Sequence, residues 1–367
     1  MKIGILTYHR AENYGALLQA YGLKTYLETL GHDVSFVDYW PDYHKEYFDL
    51  FSIHRFMNVG LKAKAIMLYN LLFYNIRKKR KQNLQRFMYG KLGLSKASKY
   101  TSHADLCNEY DVVFYGSDQI WRKQGMPSHP GFDLWYIGSE NITAKKKIAY
   151  AASMGPTILS MSDKEFLKQM LKNFSFIYAR ESSLKVLVNE LGYHCNQVID
   201  PVFLLDKNKW GGLTSNVPLK KQKYILVYNL LANKDTIKFA EMLGKKHGLT
   251  IVEISKSYGF RKLTKRYNHT ASVEEFLSLI KNSEFVVSNS FHGVAFSIIF
   301  EKQFYAVGMG NKADRVKSLL NCLKLNDRYV TDFRYSENAI DYSISRILLS
   351  EEISRSKGFI NKSFEAL

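Results

Sequence analysis

The chain is poor in cysteine, and this excludes two kinds of structural support. Cys107, Cys195 and Cys322 are its only three cysteines in 367 residues. Their odd number and scattered positions match neither a disulfide framework nor the paired spacing of a zinc site. We therefore expect no metal, and a reducing cytoplasm is the expected compartment.

Segments that direct a chain into or across a membrane are also missing. The sequence begins directly with the strand-like residues 2–6, without the cationic start, long apolar core and small-residue cleavage site of a signal peptide. No uninterrupted apolar run reaches the about 20 residues that a spanning helix needs. We expect a cytoplasmic protein that touches a membrane, if at all, from the inner face.

Acidic residues are scarce relative to basic ones. The 52 lysines and arginines exceed the 34 acidic residues and give a formal charge of +18. Nucleic acid, an anionic membrane surface and phosphorylated small molecules are the partners that such a charge suits. The sequence has no helix-turn-helix, zinc-finger or RNA-recognition signature, so we predict no nucleic-acid partner.

Short apolar segments alternate with helical ones along most of the chain, which is typical of a doubly wound α/β fold. The first such unit has a strand at 2–8, a helix at 16–30 and a strand at 34–39. We predict two Rossmann-like domains, residues 1–206 and 207–367. The second domain is expected to end in helices, and the cleft between the domains to hold the site.

Residues 42–94 interrupt this alternation with a long helical stretch. Basic and apolar residues are mixed across 54–90, and residues 77–81 are all basic. One interpretation is a basic, aromatic-bearing helix that rests on an anionic membrane. The other is a solvated helical insertion in the first domain that packs its apolar side on that domain. We favour the second, because charge runs on helices are common.

The most informative stretch is residues 285–299, which has the pattern of a buried strand, a polar turn and an apolar helix. The side-chain oxygens of Ser288, Asn289 and Ser290 are expected to cap the helix. His292 falls at the helix start, where free amides and the positive end of the dipole attract anions. The alternative is that His292 caps the helix or packs in the domain wall.

Two further strand ends carry candidate site residues. Gly116, Ser117 and Asp118 follow a strand at 111–115. Glycine permits close approach of a ligand, and Asp118 is a candidate general base or a turn cap. Arg180 follows another strand and suits a carboxylate or phosphate ligand. Its alternative is an intradomain salt bridge.

Three more residues have open roles. Asn13 and Gly15 follow the first strand, in a loop that lacks the Gly-x-Gly-x-x-Gly dinucleotide fingerprint. They face a ligand or form a plain strand-to-helix turn, with Asn13 as the helix cap. Trp121 offers a flat apolar face to a sugar, or belongs to the core.

Taken in order, several segments resemble the polysaccharide pyruvyl transferase family over roughly residues 1–325. They are Asn13-Tyr14-Gly15, Gly116-Ser117-Asp118-Gln119-Ile120-Trp121, Ala179-Arg180-Glu181-Ser182-Ser183, Asp200-Pro201, the stretch around His292, and Asp314-Arg315. The chain departs from the family at Ser290, where many members have arginine two residues before the histidine.

The resemblance implies a GT-B-like transferase that moves a pyruvyl group from phosphoenolpyruvate to a sugar of a cell-surface polysaccharide precursor, which we expect to be lipid-linked. The product is a cyclic ketal, and phosphoenolpyruvate is a substrate, so no cofactor is expected. For this chemistry we choose His292 as the acid that protonates the donor methylene and Asp118 as the base.

The remaining candidates divide between the two substrates. Those assigned to the donor are Arg180, Asn289, Ser290, Phe291 and Gly293. Those assigned to the acceptor or to the cleft are Asn13, Gly15, Gly116, Ser117 and Trp121.

Two rival functions stay open. A GT-B nucleotide-sugar glycosyltransferase commonly needs an acidic ribose clamp, and Glu301, the only acidic residue directly after the helix at 293–300, is a poor match for it. A non-enzymatic anion- or membrane-binding protein would bind without turnover, with an affinity that falls steeply as salt rises.

Overall fold

The structure is a computed structural model and describes residues 1–126, 129–214, 222–255, 257–310 and 313–365. Within these ranges, no helix is both long enough and apolar enough to cross a membrane. The strands are β1 (Lys2–Leu6), β2 (Asp33–Phe36), β3 (Val112–Tyr115), β4 (Gln124–Met126), β5 (His129–Gly131), β6 (Lys146–Ala152), β7 (Phe176–Ala179), β8 (Cys195–Gln197), β9 (Tyr224–Tyr228), β10 (Thr250–Ile254), β11 (Tyr267–Asn268), β12 (Phe285–Ser288), β13 (Gln303–Val307) and β14 (Tyr329–Val330).

Helices connect most of these strands, as parallel pairing requires. They are α1 (Tyr14–Thr29), α2 (Asp42–Phe48), α3 (Ile53–Asn58), α4 (Leu61–Leu71), α5 (Tyr74–Gly90), α6 (Met161–Leu171), α7 (Ser182–Glu190), α8 (Lys207–Gly212), α9 (Lys234–His247), α10 (Val273–Lys281), α11 (Phe291–Ile299), α12 (Ala313–Cys322) and α13 (Ser343–Glu365).

The first sheet has six parallel strands in the order β2-β1-β3-β6-β7-β8. Every residue of its central strand β3 is buried, so both faces of the sheet are covered at that point. The strand order reverses between β1 and β3. In open parallel sheets such a reversal is where ligands bind, at the carboxyl ends of the strands.

The second sheet also has six parallel strands, in the order β11-β10-β9-β12-β13-β14. This is the Rossmann order, and its reversal lies between β9 and β12. Both sheets confirm the predicted fold class of two Rossmann-like domains.

The chain divides into two compact units. The first comprises residues 1–45, 88–205 and 347–367, and the second comprises 46–87 and 206–346. The division near residue 206 agrees with the sequence-based boundary. Two segments do not follow that boundary. Residues 46–87, most of the helical stretch, are grouped with the second unit, and residues 347–367, most of α13, are grouped with the first unit.

Specific contacts explain this difference. Arg80 donates from Nη1 to the carbonyl of His269 over 3.3 Å, and Asn83 donates from Nδ2 to the carbonyl of Thr270 over 2.6 Å. These bonds join α5 to the second unit, which holds residues 46–87, whereas residues 42–45 and 88–94 of the predicted insertion belong to the first unit. The sequence placed the whole insertion in the first domain. At the other end of the chain, Ser356 of α13 accepts a 3.1 Å bond from the backbone amide of Ile199 in the first unit.

Candidate functional site

The reversal point of the second sheet is held together by Asn289, the first residue after β12. Its side chain is fully buried. Nδ2 donates to Oδ1 of Asn229 over 2.6 Å, and Oδ1 accepts from the amide of Leu231 over 3.2 Å. Asn229 and Leu231 belong to the loop after β9, so Asn289 joins the two strand ends that flank the reversal.

Ser288 and Gly293 bring α11 close to the sheet. The hydroxyl of Ser288 donates to the carbonyl of Tyr228 over 3.0 Å and accepts from the amide of Ser290 over 3.1 Å. A Cβ atom on Gly293 would lie 2.2 Å from that hydroxyl oxygen. Residue 293 must therefore be glycine for the helix to begin at this distance from the strand.

His292 is the second residue of α11, and a cationic side chain contacts its neighbour Phe291. The rings of Phe291 and His292 meet edge to face at 5.3 Å, and both residues are buried. The guanidinium of Arg315, from α12, lies 5.8 Å from the centroid of the Phe291 ring. At the amino end of α11, the ring of Phe291 thus contacts both an imidazole and a guanidinium.

The predicted helix caps are confirmed in part. Ser288 accepts from an amide at the helix start, whereas Asn289 accepts from the neighbouring loop. Ser290 stands at the cap position, and within the described part of the chain its side chain makes no capping hydrogen bond. The amino end of α11 therefore keeps donor capacity that a side-chain cap would have taken up.

The reversal point of the first sheet is built on Gly116, Ser117 and Asp118. A Cβ atom on Gly116, whose φ is +123°, would lie 2.2 Å from the carbonyl oxygen of Tyr150. The hydroxyl of Thr7, after β1, donates to the carbonyl of Ser117 over 2.8 Å. Here too a hydrogen bond joins the ends of the two strands that flank the reversal.

Asp118 is the most accessible of these residues. Its φ is +71°, a left-handed conformation that aspartate tolerates better than most residues. Oδ1 accepts from the amide of Gln119 over 2.8 Å, and 21% of the side chain is exposed. The carboxylate therefore caps its own turn while it remains within reach of solvent.

Arg180 is buried behind this turn. Nη1 donates to Oδ2 of Asp200 over 2.6 Å and to the hydroxyl of Ser117 over 3.1 Å, and only 2% of the side chain is exposed. Burial would lower the pKa of Arg180, but the charges of Asp200, Glu181 and Asp118 raise it, so the guanidinium stays charged. This is the intradomain salt bridge that the sequence left as the alternative; donor binding by Arg180 stays a prediction.

Three other candidates have local structural roles. The indole of Trp121 is buried and donates to the carbonyl of Tyr136 over 2.9 Å, which favours the core alternative. Asn13 accepts from the amide of Gly15 over 2.9 Å and caps α1, as predicted. Contact of these residues with an acceptor stays a prediction.

The structure thus brings Gly116, Ser117, Asp118 and Arg180 together in the first unit. It brings the residues around His292 together in the second unit: Asn289, Ser290, Phe291, His292 and Gly293.

Sequence reasoning missed four participants: Thr7, Asn229, Asp200 and Arg315. Asn229 carried no signal beyond its position after a strand, and Thr7 fell inside the strand predicted at 2–8. Asp200 and Arg315 stood in the recognised segments but had no assigned role.

A family model for polysaccharide pyruvyl transferases matches residues 13–311. This span includes the residues around Gly116 and those around His292, and it covers most of the chain. The chain belongs to the polysaccharide pyruvyl transferase family. No curated protein matches it.

Solved structures of other sugar-related enzymes are distantly similar to this pyruvyl transferase family member. UDP-N-acetylglucosamine 2-epimerase from Rickettsia bellii is 12% identical, with 100% of this chain and 99% of that chain covered and a TM-score of 0.42. The heptosyltransferase WaaC from E. coli is 12% identical, with 83% and 88% covered and a TM-score of 0.39. The glycosyltransferase SnogD from Streptomyces nogalater is 10% identical, with 98% and 99% covered and a TM-score of 0.39. Similarity at this level assigns neither a substrate nor a reaction.

Proposed function

We propose that this member of the family transfers a pyruvyl group from phosphoenolpyruvate to a sugar of a lipid-linked polysaccharide precursor in the cytoplasm. Family membership supports a transferase with a glycan acceptor. The observation that supports the donor is the position of His292 at the amino end of α11, at the reversal of the second sheet, with Arg315 against the ring of the neighbouring Phe291.

Phosphoenolpyruvate carries a phosphate and a carboxylate, so its site needs positive charge and amide donors. The amino end of α11 offers amides and the positive end of a helix dipole. Ser290 contributes no cation to this end of the helix, and Arg315 supplies one from α12. We therefore assign the donor to the start of α11, with Arg315 as an additional anion-binding residue.

The proposed chemistry uses a proton from His292. The imidazole donates it to the methylene carbon of phosphoenolpyruvate while an acceptor hydroxyl oxygen bonds to the adjacent carbon. Inorganic phosphate then leaves, and a second hydroxyl of the sugar forms the other carbon–oxygen bond. The sum is phosphoenolpyruvate plus a sugar diol giving a pyruvate ketal plus phosphate. Asp118 is our candidate for the base that accepts a hydroxyl proton.

Ligand-induced thermal stabilisation tests the donor assignment. At 100 times its dissociation constant, a ligand stabilises the fold by about 2.7 kcal/mol. We expect phosphoenolpyruvate to raise the melting temperature and nucleotide sugars to leave it unchanged. The reverse pattern would favour a nucleotide-sugar glycosyltransferase.

A pair of variants on α12 localises the donor. Arg315→Gln should weaken the shift caused by phosphoenolpyruvate, because it removes the cation beside Phe291. The matched control is Lys317→Gln, which removes an exposed charge two residues further along the same helix. Equal shifts in the two variants would contradict the role assigned to Arg315.

A further inference from the structure

Helix α4 exposes a stripe of large apolar side chains. Leu61, Leu68 and Leu72 follow one another at spacings of seven and four residues, which places them on one face of the helix. Their exposed fractions are 85%, 51% and 64%. All residues of α4 are described, and none of them is buried. The alternative favoured from the sequence, an insertion that packs its apolar side on the first domain, does not describe this helix.

The border of the stripe is aromatic and basic. Tyr69 on α4 and Tyr74 at the start of α5 are exposed and provide amphipathic rings of the kind that collect at membrane–water interfaces. Lys62 and Lys64 lie on α4 itself, and Arg55 precedes it on α3. Between Asp49 and Asp105 the sequence contains no acidic residue. The charged side chains of α3 and α4 are therefore all basic, and Glu46 of α2 lies 3.0 Å from His54 of α3.

A second segment extends this surface. Phe73, two residues after the end of α4, is buried and packs on Phe260, with the centroids of the two rings 5.3 Å apart. Phe260 and Leu263 are themselves largely exposed, and Arg261 and Lys265 are exposed beside them. We call the α4 stripe together with Phe260 and Leu263 the α4 face.

The basic run at 77–81 contributes less to this surface than its sequence suggests. Arg77 and Lys81 donate to the carbonyls of Leu50 and Phe48, over 2.7 and 2.9 Å. Arg80 is buried against His269. Lys78 and Lys79 remain exposed. Much of the run thus holds α5 in place.

We propose that the α4 face docks on the surface of a bilayer that contains anionic phospholipid. Apolar side chains enter the boundary between headgroups and acyl chains, and the surrounding lysines and arginines bind anionic headgroups. A second copy of the same face is a poor partner, because symmetric pairing would bring like charges together. Docking is independent of the reaction; its use in reaching a lipid-linked acceptor rests on the proposed function.

Vesicle co-sedimentation of the full chain tests this inference. The probes are phosphatidylcholine vesicles and vesicles of phosphatidylcholine with phosphatidylglycerol, at low and at high salt. We expect binding to the anionic vesicles that weakens as salt rises, because the attraction between the basic border and the headgroups is screened. Equal binding to both kinds of vesicle, or to neither, would overturn the proposal.

Two sets of variants separate the apolar and basic contributions. Leu61→Ser, Leu68→Ser and Leu72→Ser combined should lower the affinity for anionic vesicles by at least about tenfold, because they remove the side chains that enter the bilayer. The matched control changes three exposed isoleucines elsewhere, Ile158, Ile344 and Ile347, to serine. The double variant Lys62→Gln, Lys64→Gln should lower the affinity for anionic vesicles by about twentyfold. Its control is Lys172→Gln with Lys324→Gln.

Other outcomes have defined meanings. Because α4 contains no buried residue among those described, its variants should melt with the wild type, and melting is checked first. If the α4 variants bind vesicles as their controls do, the face is not the docking surface. If the wild type is a dimer in light scattering and the leucine variant a monomer, a second copy covers the face and the proposal fails. If the protein does not bind vesicles but turns over a soluble glycoside normally, docking is contradicted and the proposed reaction is not. If it binds vesicles but does not turn over, the proposed reaction is contradicted and docking is not.

Discussion

Asn289 and Asn229 join the two halves of the second sheet through a 2.6 Å hydrogen bond between their side chains. Asn289 follows β12 and Asn229 follows β9, the strands on either side of the order reversal. The bond is buried, so it fixes the spacing of the strand ends from which α11 and the loop after β9 start. The position of His292 depends on this spacing.

His292→Asn tests the proton donor. Asparagine keeps a polar group at the helix start but cannot deliver a proton at neutral pH. We expect turnover to fall by about 100- to 10,000-fold, the usual contribution of a general acid, while stability stays near normal. Calorimetric binding of phosphoenolpyruvate should remain within about tenfold of the wild type.

His247→Asn, an exposed histidine at the end of α9, is the control for this substitution. If the His292 variant turns over normally but no longer binds the donor, His292 is an anion ligand and another group provides the proton. If neither property changes, the purely structural alternative for this stretch is correct.

Arg180→Ala tests whether the buried ion pair supports the fold. Removing the guanidinium leaves the carboxylate of Asp200 buried without its charge partner, which typically costs about 3–5 kcal/mol. Urea denaturation should therefore show a large decrease in the free energy of unfolding for Arg180→Ala. It should show almost no decrease for Arg122→Ala, which changes an exposed arginine. The double variant Arg180→Met, Asp200→Asn should lose less unfolding free energy than Arg180→Ala, because the Asp200 carboxylate is then replaced by a neutral amide. A stable Arg180→Ala variant that fails to bind phosphoenolpyruvate would restore the donor-binding role.

Gly293→Ala tests the close approach of α11 to β12. The new methyl group would overlap the hydroxyl of Ser288, which is itself fixed by the carbonyl of Tyr228. We expect a loss of about 1–3 kcal/mol in the free energy of unfolding. Gly358→Ala, in α13, is the control because nothing lies within 4 Å of its added Cβ atom. That substitution should stabilise by about 0.5–1 kcal/mol. Equal effects of the two would contradict the packing argument.

Asp38 gives the first unit an acid-sensitive contact. Burial alone would raise the pKa of Asp38, but hydrogen bonds from Arg10 and His9 lower it from 3.8 to about 2. Arg10 binds the carboxylate with both Nε and Nη2, at 2.6 and 2.7 Å. Since the folded pKa lies below the unfolded one, the stabilisation is fully present above about pH 4 and is lost as the pH falls towards about 2.

This contribution is at most about 2 kcal/mol, because part of the carboxylate is exposed to solvent. Urea denaturation at several pH values should show a steeper loss of stability between about pH 4 and pH 2 in the wild type than in Asp38→Asn. Parallel curves for the two proteins in this window would contradict the role of Asp38.

Local sequence signals predicted much of the fold. The strand, helix and strand predicted at 2–8, 16–30 and 34–39 correspond to β1, α1 and β2, with bounds that differ by at most three residues, and the local signals of the helix at 273–281 are equally clear. For α10 the reason is visible, because Ser272 and Glu275 form a capping box in front of an amphipathic segment. The edge strands β11 and β14 were not predicted, since two residues are too short for an alternating pattern.

Long-range contacts lay outside what the sequence could predict. The carbonyl of His269 that holds Arg80 is 189 residues away, and a backbone carbonyl has no sequence signature. The sequence therefore placed the whole helical stretch in the first domain, although residues 46–87 are grouped with the second unit. For Arg180 the two roles were left open, because the sequence does not show whether Asp200 or a ligand faces the guanidinium.

The most direct test of the account is to incubate the protein with phosphoenolpyruvate and a panel of glycosides, and to follow phosphate release together with the mass of the glycoside. We predict that phosphate is released only in the presence of an acceptor, and that the acceptor gains the mass of pyruvate minus water. His292→Asn should lower the rate of both signals by about 100- to 10,000-fold. A glycoside that instead gains a sugar from a nucleotide sugar, with no product from phosphoenolpyruvate, would contradict the account.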